Sequence, residues 1–217
     1  MNADDVAQYL RTHPDFLVDH SELFTRLTVP HPRHNGQAIS LAERQLYVLR
    51  DKIRQLENKL SELIRFGEEN DSISEKVHRL SVALLEAEDY TGAREALFSS
   101  LAHDFQLPRF ALRIWNSVIA HEDIEFSAVS EAVRLYVAGL SRPYCGAPNN
   151  IEMVGWLGAV APDIHSVAVV PLHRQTQVFG VLVLGSEESE RFYPEMGTLY
   201  LERIGDLSAA ALLCTLG

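Results

Sequence analysis

Two apolar runs decide the fold: Ser166-Val167-Ala168-Val169-Val170-Pro171-Leu172 and Val178-Phe179-Gly180-Val181-Leu182-Val183-Leu184, separated by the polar stretch His173-Arg174-Gln175-Thr176-Gln177. Each run has strand length and is rich in β-branched residues, and neither alternates apolar with polar. Strands that read this way are covered on both faces, and the short polar connection makes the pair a hairpin. The second run is the longest apolar stretch in the chain and falls far short of the roughly 20 residues a membrane helix requires. No membrane partner is expected.

Helical patterns surround the hairpin. Upstream, Leu97, Leu101 and Phe105 predict a helix over about Thr91–Phe105, ending before Pro108. Phe110-Ala111-Leu112-Arg113-Ile114-Trp115 predicts a strand, and Ile124 to Phe126 a short second one. Val129, Val133, Tyr136 and Leu140 mark another helix, followed by a loop around Tyr144-Cys145-Gly146. A closing helix after Pro194 carries Met196, Leu199, Tyr200, Ile204, Leu207, Ala211 and Cys214. Residues 90–217 therefore form an α+β domain with an antiparallel sheet.

The N-terminal residues 1–38 predict a small helical cap. Asp4 or Asp5 can cap a helix bearing Val6, Tyr9 and Leu10, and Ser21 a third short one bearing Leu23, Phe24 and Leu27, which Pro30 and Pro32 stop. Helices this short must pack on something. His31 and His34 lie close together, but no third ligand has suitable local spacing, so no metal is expected.

Over 39–89 the period becomes a heptad. Ile39, Ala42, Leu46, Leu49, Ile53, Leu56, Leu60 and Leu63 alternate spacings of three and four, which is the pattern of a left-handed coiled coil. Such a stripe needs a partner helix, and the cheapest is a second copy of the chain. Leu46, Leu49, Ile53, Leu56, Leu60 and Leu63 are thus the expected homodimer interface, with Lys52 and Glu57 placed to attract across a parallel pair. Near Phe66 one four-residue step is missing. A stammer in a continuous helix is favoured over a break at Gly67 followed by a Ser72–Glu75 capping box.

Composition narrows the function. The 217 residues are 47% hydrophobic and 23% charged, with net charge −11. The three lysines (Lys52, Lys59, Lys76) all precede residue 90, so no lysine chemistry is available beyond it, and direct binding of duplex nucleic acid is disfavoured. Two cysteines, Cys145 and Cys214, make neither a disulfide framework nor a zinc site. With no signal-like apolar stretch behind the acidic N-terminus, a reduced cytoplasmic setting is expected.

Ser166 to Leu172, the polar turn, Phe179-Gly180-Val181-Leu182-Val183-Leu184-Gly185-Ser186 and the long helix after Phe192 resemble the closing part of a GAF domain, over roughly residues 90–217. Val6-x-x-Tyr9-Leu10, His13-Pro14-Asp15-Phe16, Ser40-Leu41-x-Glu43-Arg44-Gln45, Leu49-Arg50 and Tyr144-Cys145-Gly146 resemble the bacterial domain of unknown function 484 family over essentially the whole chain. That resemblance implies an N-terminal helical region joined to a GAF-like domain, without established activity. It also implies genes often found beside that of a tyrosine recombinase, which makes such an enzyme a candidate partner. GAF-like folds hold small molecules between the sheet and its overlying helices and loops. On the matched positions that pocket would draw on Arg113 and Trp115, on Tyr136, and on Tyr144, Cys145 and Trp156 from connecting loops. The competing reading is that the aromatic rings are core and that Arg113 pairs with Glu125 on a neighbouring strand.

The Asn-Lys-Phe-Asp-Glu signature of cyclic-nucleotide-binding GAF domains is missing, as is the histidine beside a bilin-attaching cysteine. Some GAF-like proteins reduce methionine sulfoxide with several cysteines. Here Cys145 has no evident His or Lys neighbour to form thiolate, and Cys214 reads as a buried small hydrophobe. His103, His121, His165 and His173 show no triad or metal spacing. The expected function is therefore a non-enzymatic cytoplasmic regulatory or adaptor protein without cofactor. In that reading a GAF-like sensing or interaction module is attached to a dimerising helix and signals through a protein partner. The alternatives are a thiol-dependent reductase and a pure scaffold with a closed pocket.

Overall fold

The computed structural model describes residues 2–30, 38–115, 123–158 and 163–216. Expectations that fall on His31, Pro32, His34 and His121, and on the side chains of Phe24, Pro30 and Ile39, lie outside the described residues. The chain forms two compact units, residues 1–68 and 69–217.

The first unit opens with α1 (Ala3–Thr12), α2 (Phe16–Asp19) and α3 (Ser21–Arg26). Asn2, not Asp4 or Asp5, caps α1: its side chain accepts from the Asp5 amide while the Asp5 carboxylate accepts from the Asn2 amide. Ser21 is the first residue of α3 and no side chain caps that helix. A two-stranded antiparallel ladder, β1 (Thr28–Pro30) with β2 (Ala38–Ser40), follows. Ile39 is therefore in a strand, and the long helix begins two residues later than the heptad suggests. Ser40 starts it: the Glu43 carboxylate accepts from the Ser40 amide and hydroxyl, and the Glu43 amide donates to Ser40 Oγ.

That helix, α4, runs unbroken for 46 residues, Leu41–Glu86. Gly67 lies inside it with open space around the position its Cβ would take, so nothing there forces a break. Along the first unit's portion, Leu46, Leu49, Ile53, Leu56, Leu60 and Leu63 are all 49–66% exposed. No described side chain before Val77 is fully buried.

In the second unit the same helix turns apolar residues into a core: Val77, Leu80 and Leu84 are buried. Asp89 then caps α5 (Tyr90–Ser99), accepting from the Gly92 amide. The expected helix to Phe105 finishes as a π-turn, Ser100–Asp104, which Arg79 holds through a 2.7 Å ion pair to Asp104. A four-stranded antiparallel sheet follows in the order β3 (Arg109–Ile114), β6 (Gln177–Ser186), β5 (Ser166–Arg174), β4 (Tyr144–Gly146). The hairpin is longer than its apolar runs. Pairing continues to Arg174 and Gln177, and Gln175, at φ 57°, turns the chain between them.

Side-chain alternation sorts the sheet into two buried layers. Leu112 and Ile114, Ala168, Val170 and Leu172, and Leu182 and Leu184 join Leu80, Leu97, Leu101, Ile204 and Leu212. This face is covered by the end of α4, by α5 and by α8 (Leu199–Thr215). Ala111, Trp115, Val167, Val169, Val181 and Val183 instead meet α6 (Glu131–Ala138) and α7 (Ile151–Gly155) through Val133, Val137 and Met153. Each buried Leu or Val contributes on the order of 1.5–3 kcal/mol. Double coverage is why the hairpin is apolar throughout Val167–Leu172 and Val178–Leu184.

One expectation is corrected here. Ile124–Phe126 is a 3₁₀ turn and not a strand. As a strand it would have turned Glu125 outward; the turn inverts this, exposing Ile124 and burying Glu125.

The strands approach closely at Gly180, where an added Cβ would lie 2.8 Å from the Arg113 carbonyl oxygen on the neighbouring strand. Because that atom is backbone, the sheet itself must move. Gly180→Ala is expected to destabilise the protein by about 1–3 kcal/mol, read as a lower urea midpoint at unchanged slope; an unshifted midpoint would show that β3 moves freely.

Candidate functional site

The sheet face under α6 and α7 collects most of the chemistry-bearing residues. Ser130 caps α6, accepting from the Val133 amide, and Asn150 caps α7, accepting from the Met153 amide. The Glu152 carboxylate accepts from the Ser130 amide at 3.0 Å and so ties the two helix starts together. This fixes Trp156, the C-terminal cap residue of α7, above the sheet.

Arg113 projects from β3 onto this face. It is 6% exposed, and its guanidinium carbon lies 5.0 Å from the Trp156 ring centroid. Its Nη1 donates to the Leu112 carbonyl at 2.8 Å. Burial pushes its pKa below the usual arginine range, against the pull of the Glu125 charge. Two residues on, Trp115 donates from Nε1 to the Val178 carbonyl, and Arg134 of α6 lies 6.0 Å from its ring. Tyr136 and Tyr144 are half-buried beside this layer. The Tyr136 hydroxyl accepts from Asn149 Nδ2, and the Tyr144 hydroxyl donates to the Ala147 carbonyl.

Cys145 is separated from these residues. It lies in strand β4 and not in a loop, and successive strand residues face opposite ways, so its side chain enters the helix-covered core while Tyr144 faces α6 and α7. Burial pushes its thiol up to about 11. Cys214, expected inside, is exposed. The buried stripe of α8 is Leu201, Ile204, Gly205, Ser208, Ala209 and Leu212, and Cys214 stands two residues past its last member, on another side of the helix.

Sequence reasoning set Glu125 on a strand as a partner for Arg113 and missed its burial: it is 2% exposed. Its Oε1 accepts from Arg94 Nε at 2.8 Å, so its ion-pair partner is Arg94 on α5 and not Arg113. Its Oε2 is buried without a partner among the described residues. Burial first, and the Glu125 charge second, push the Tyr90 hydroxyl far above the usual tyrosine range. An isolated Ile-Glu-Phe triplet carries no signal for this. Nor is there one for the recess of about 310 Å³ beside β4, bounded by the 139–145 segment with Pro194, Met196 and Thr198. Among the described residues no cluster of three or more His, Cys, Asp or Glu is arranged to hold a metal ion. No described helix is long and apolar enough to cross a membrane.

The whole-chain arrangement, short helices, long helix and α+β unit, has a counterpart among protein families. The model of the family described as "Protein of unknown function, DUF484" matches residues 1–212. The chain belongs to this family. A relative, the uncharacterized protein YigA of Salmonella typhimurium, is 26% identical over 209 residues, covering 92% of this chain and 86% of its own. Among solved structures, the DUF484 chain is similar to the A. aeolicus NLH2 GAF domain in an inactive state (12% identity, TM-score 0.49, 67% of this chain and 98% of that one). It is also similar to the free methionine-R-sulfoxide reductase of Neisseria meningitidis in complex with its substrate (14%, 0.46, 66% and 89%). A third is the GAF domain of the potassium sensor histidine kinase KdpD of Escherichia coli (16%, 0.40, 65% and 94%).

The two thiols should react very differently. At pH 8 iodoacetamide is expected to modify Cys214 readily and Cys145 only after unfolding in urea, because little of a thiol titrating near 11 is thiolate at that pH. Adduct counting by mass spectrometry checks this, and fast native labelling of Cys145 would contradict its burial.

Proposed function

We propose that this protein is a non-enzymatic regulatory or adaptor protein of the cytoplasm, in which a GAF-like small-molecule-sensing or protein-interaction module is carried by a helix that pairs with a second copy of the chain. The observation that carries the reading is the stripe on α4. Six large apolar side chains from Leu46 to Leu63 recur at heptad spacing and stand about half exposed or more. The unit that bears them contains no fully buried described side chain. A hydrophobic seam this regular is stabilised only by another helix, and Lys52 and Glu57 stand at the positions that attract across a parallel pair. The second unit has two buried layers of its own, as a receiving module requires. The absence of catalysis is supported by the chemistry of Cys145, whose buried thiol is pushed away from the thiolate a reductase needs.

Leu56→Lys tests the pairing. Two lysines would meet across the seam, each losing roughly 1.5–3 kcal/mol of leucine burial and adding like-charge repulsion. Analytical ultracentrifugation at micromolar concentration should find a dimer for the wild type and a folded monomer, with unchanged near-ultraviolet circular dichroism, for the variant. A dimer surviving the substitution would refute pairing through the stripe.

A further inference from the structure

The guanidinium of Arg113 has five N–H donors. Among the described residues it has one acceptor, the neutral Leu112 carbonyl, and one face contact, Trp156; no carboxylate comes within ion-pair distance. A buried charge needs a counter-charge, and the nearby carboxylate is committed, because Glu125 holds Arg94 at 2.8 Å. Arg94 and Glu125 balance each other, which leaves one positive charge on Arg113 at 6% exposure. Nearby, Arg134 over Trp115 keeps its Nε buried and unpartnered among the described residues. The surroundings are therefore cationic and aromatic together.

We propose that Arg113, with Trp156 and Trp115 beside it, is the recognition group for a small organic monoanion: a carboxylate on a flat apolar body. The planar guanidinium fork matches the two oxygens of a carboxylate and forms charge-assisted hydrogen bonds with them. Of Arg113 and Arg134 only Arg113 is fully buried, so a single negative charge compensates the guanidinium that water does not reach. The indole rings supply apolar surface for the body of the ligand. This deepens the proposed function and rests on reading the second unit as a module that receives a small molecule.

The protein has two tryptophans, Trp115 and Trp156, both at this site, so its intrinsic fluorescence reports on the site alone. Full-length protein is titrated with benzoate and, as the neutral isostere, with benzamide, exciting at the red edge of tryptophan absorption. The expected result is a saturable emission change with benzoate, with apparent affinity at least tenfold weaker for benzamide and at least tenfold weaker in Arg113→Met. Arg113→Lys, which keeps the charge and loses the fork, should weaken benzoate severalfold, and it serves as the test if Arg113→Met does not fold. Equal affinity for benzoate and benzamide would overturn the carboxylate assignment while leaving a ligand-receiving module in place. Benzoate binding unaltered in Arg113→Lys and Arg113→Met would overturn the role of Arg113. No saturable benzoate response in the wild type at tens of millimolar would overturn the inference outright, while the sedimentation behaviour of Leu56→Lys would still judge the pairing separately.

Discussion

The β5–β6 ladder must be dry on both sides, and the architecture of the second unit follows from that requirement. Val167, Val169, Val181 and Val183 on one face, and Ala168, Val170, Leu182 and Leu184 on the other, are all buried, and the strands meet solvent only at their turn end, at His173, Arg174 and Gln177. Two helical layers are consequently needed. One comes from α5, α8 and the end of α4, and the other from the short helices α6 and α7. The layers differ in what they can host. Long helices packed with Leu and Ile close their face, whereas α6 and α7, held by their side-chain caps and by Glu152, bring polar and aromatic groups onto theirs.

The alternation of the sheet also divides the chemistry. Arg113 and Trp115 are two residues apart and share a face; Tyr144 and Cys145 are adjacent and cannot. The thiol and the guanidinium are thereby placed on opposite sides of the sheet. Each group then acquires its character from burial: the cysteine loses its tendency to ionise, and the arginine is left with a charge that no described residue pairs.

Helix α4 shows the same pattern meeting two different fates. The helix continues through Gly67 and its three-and-four rhythm resumes after the step missing near Phe66, but Val77, Leu80 and Leu84 end in a core while Leu46 to Leu63 remain exposed. Nothing in the periodicity distinguishes the two stretches. The difference lies in whether the chain itself supplies covering elements: α5 and α8 do so for the C-terminal end of the helix.

Local rules acting over a few residues made much of this chain legible in its sequence. Strand length, β-branching and apolar runs identified the hairpin, and heptad spacing identified the helix that begins at Leu41. Adjacency in space is not local, and there the sequence was silent or misleading. The triplet Ile124-Glu125-Phe126 reads as a strand because alternation is the only pattern three residues can show, yet the carboxylate enters the interior to meet Arg94, 31 residues earlier. Cys214 reads as part of an apolar stripe, yet α8 turns only its Leu201–Leu212 face inward. Whether a polar side chain is buried, and what pairs with it once there, depends on which distant segments cover it, and only the tertiary structure decides that.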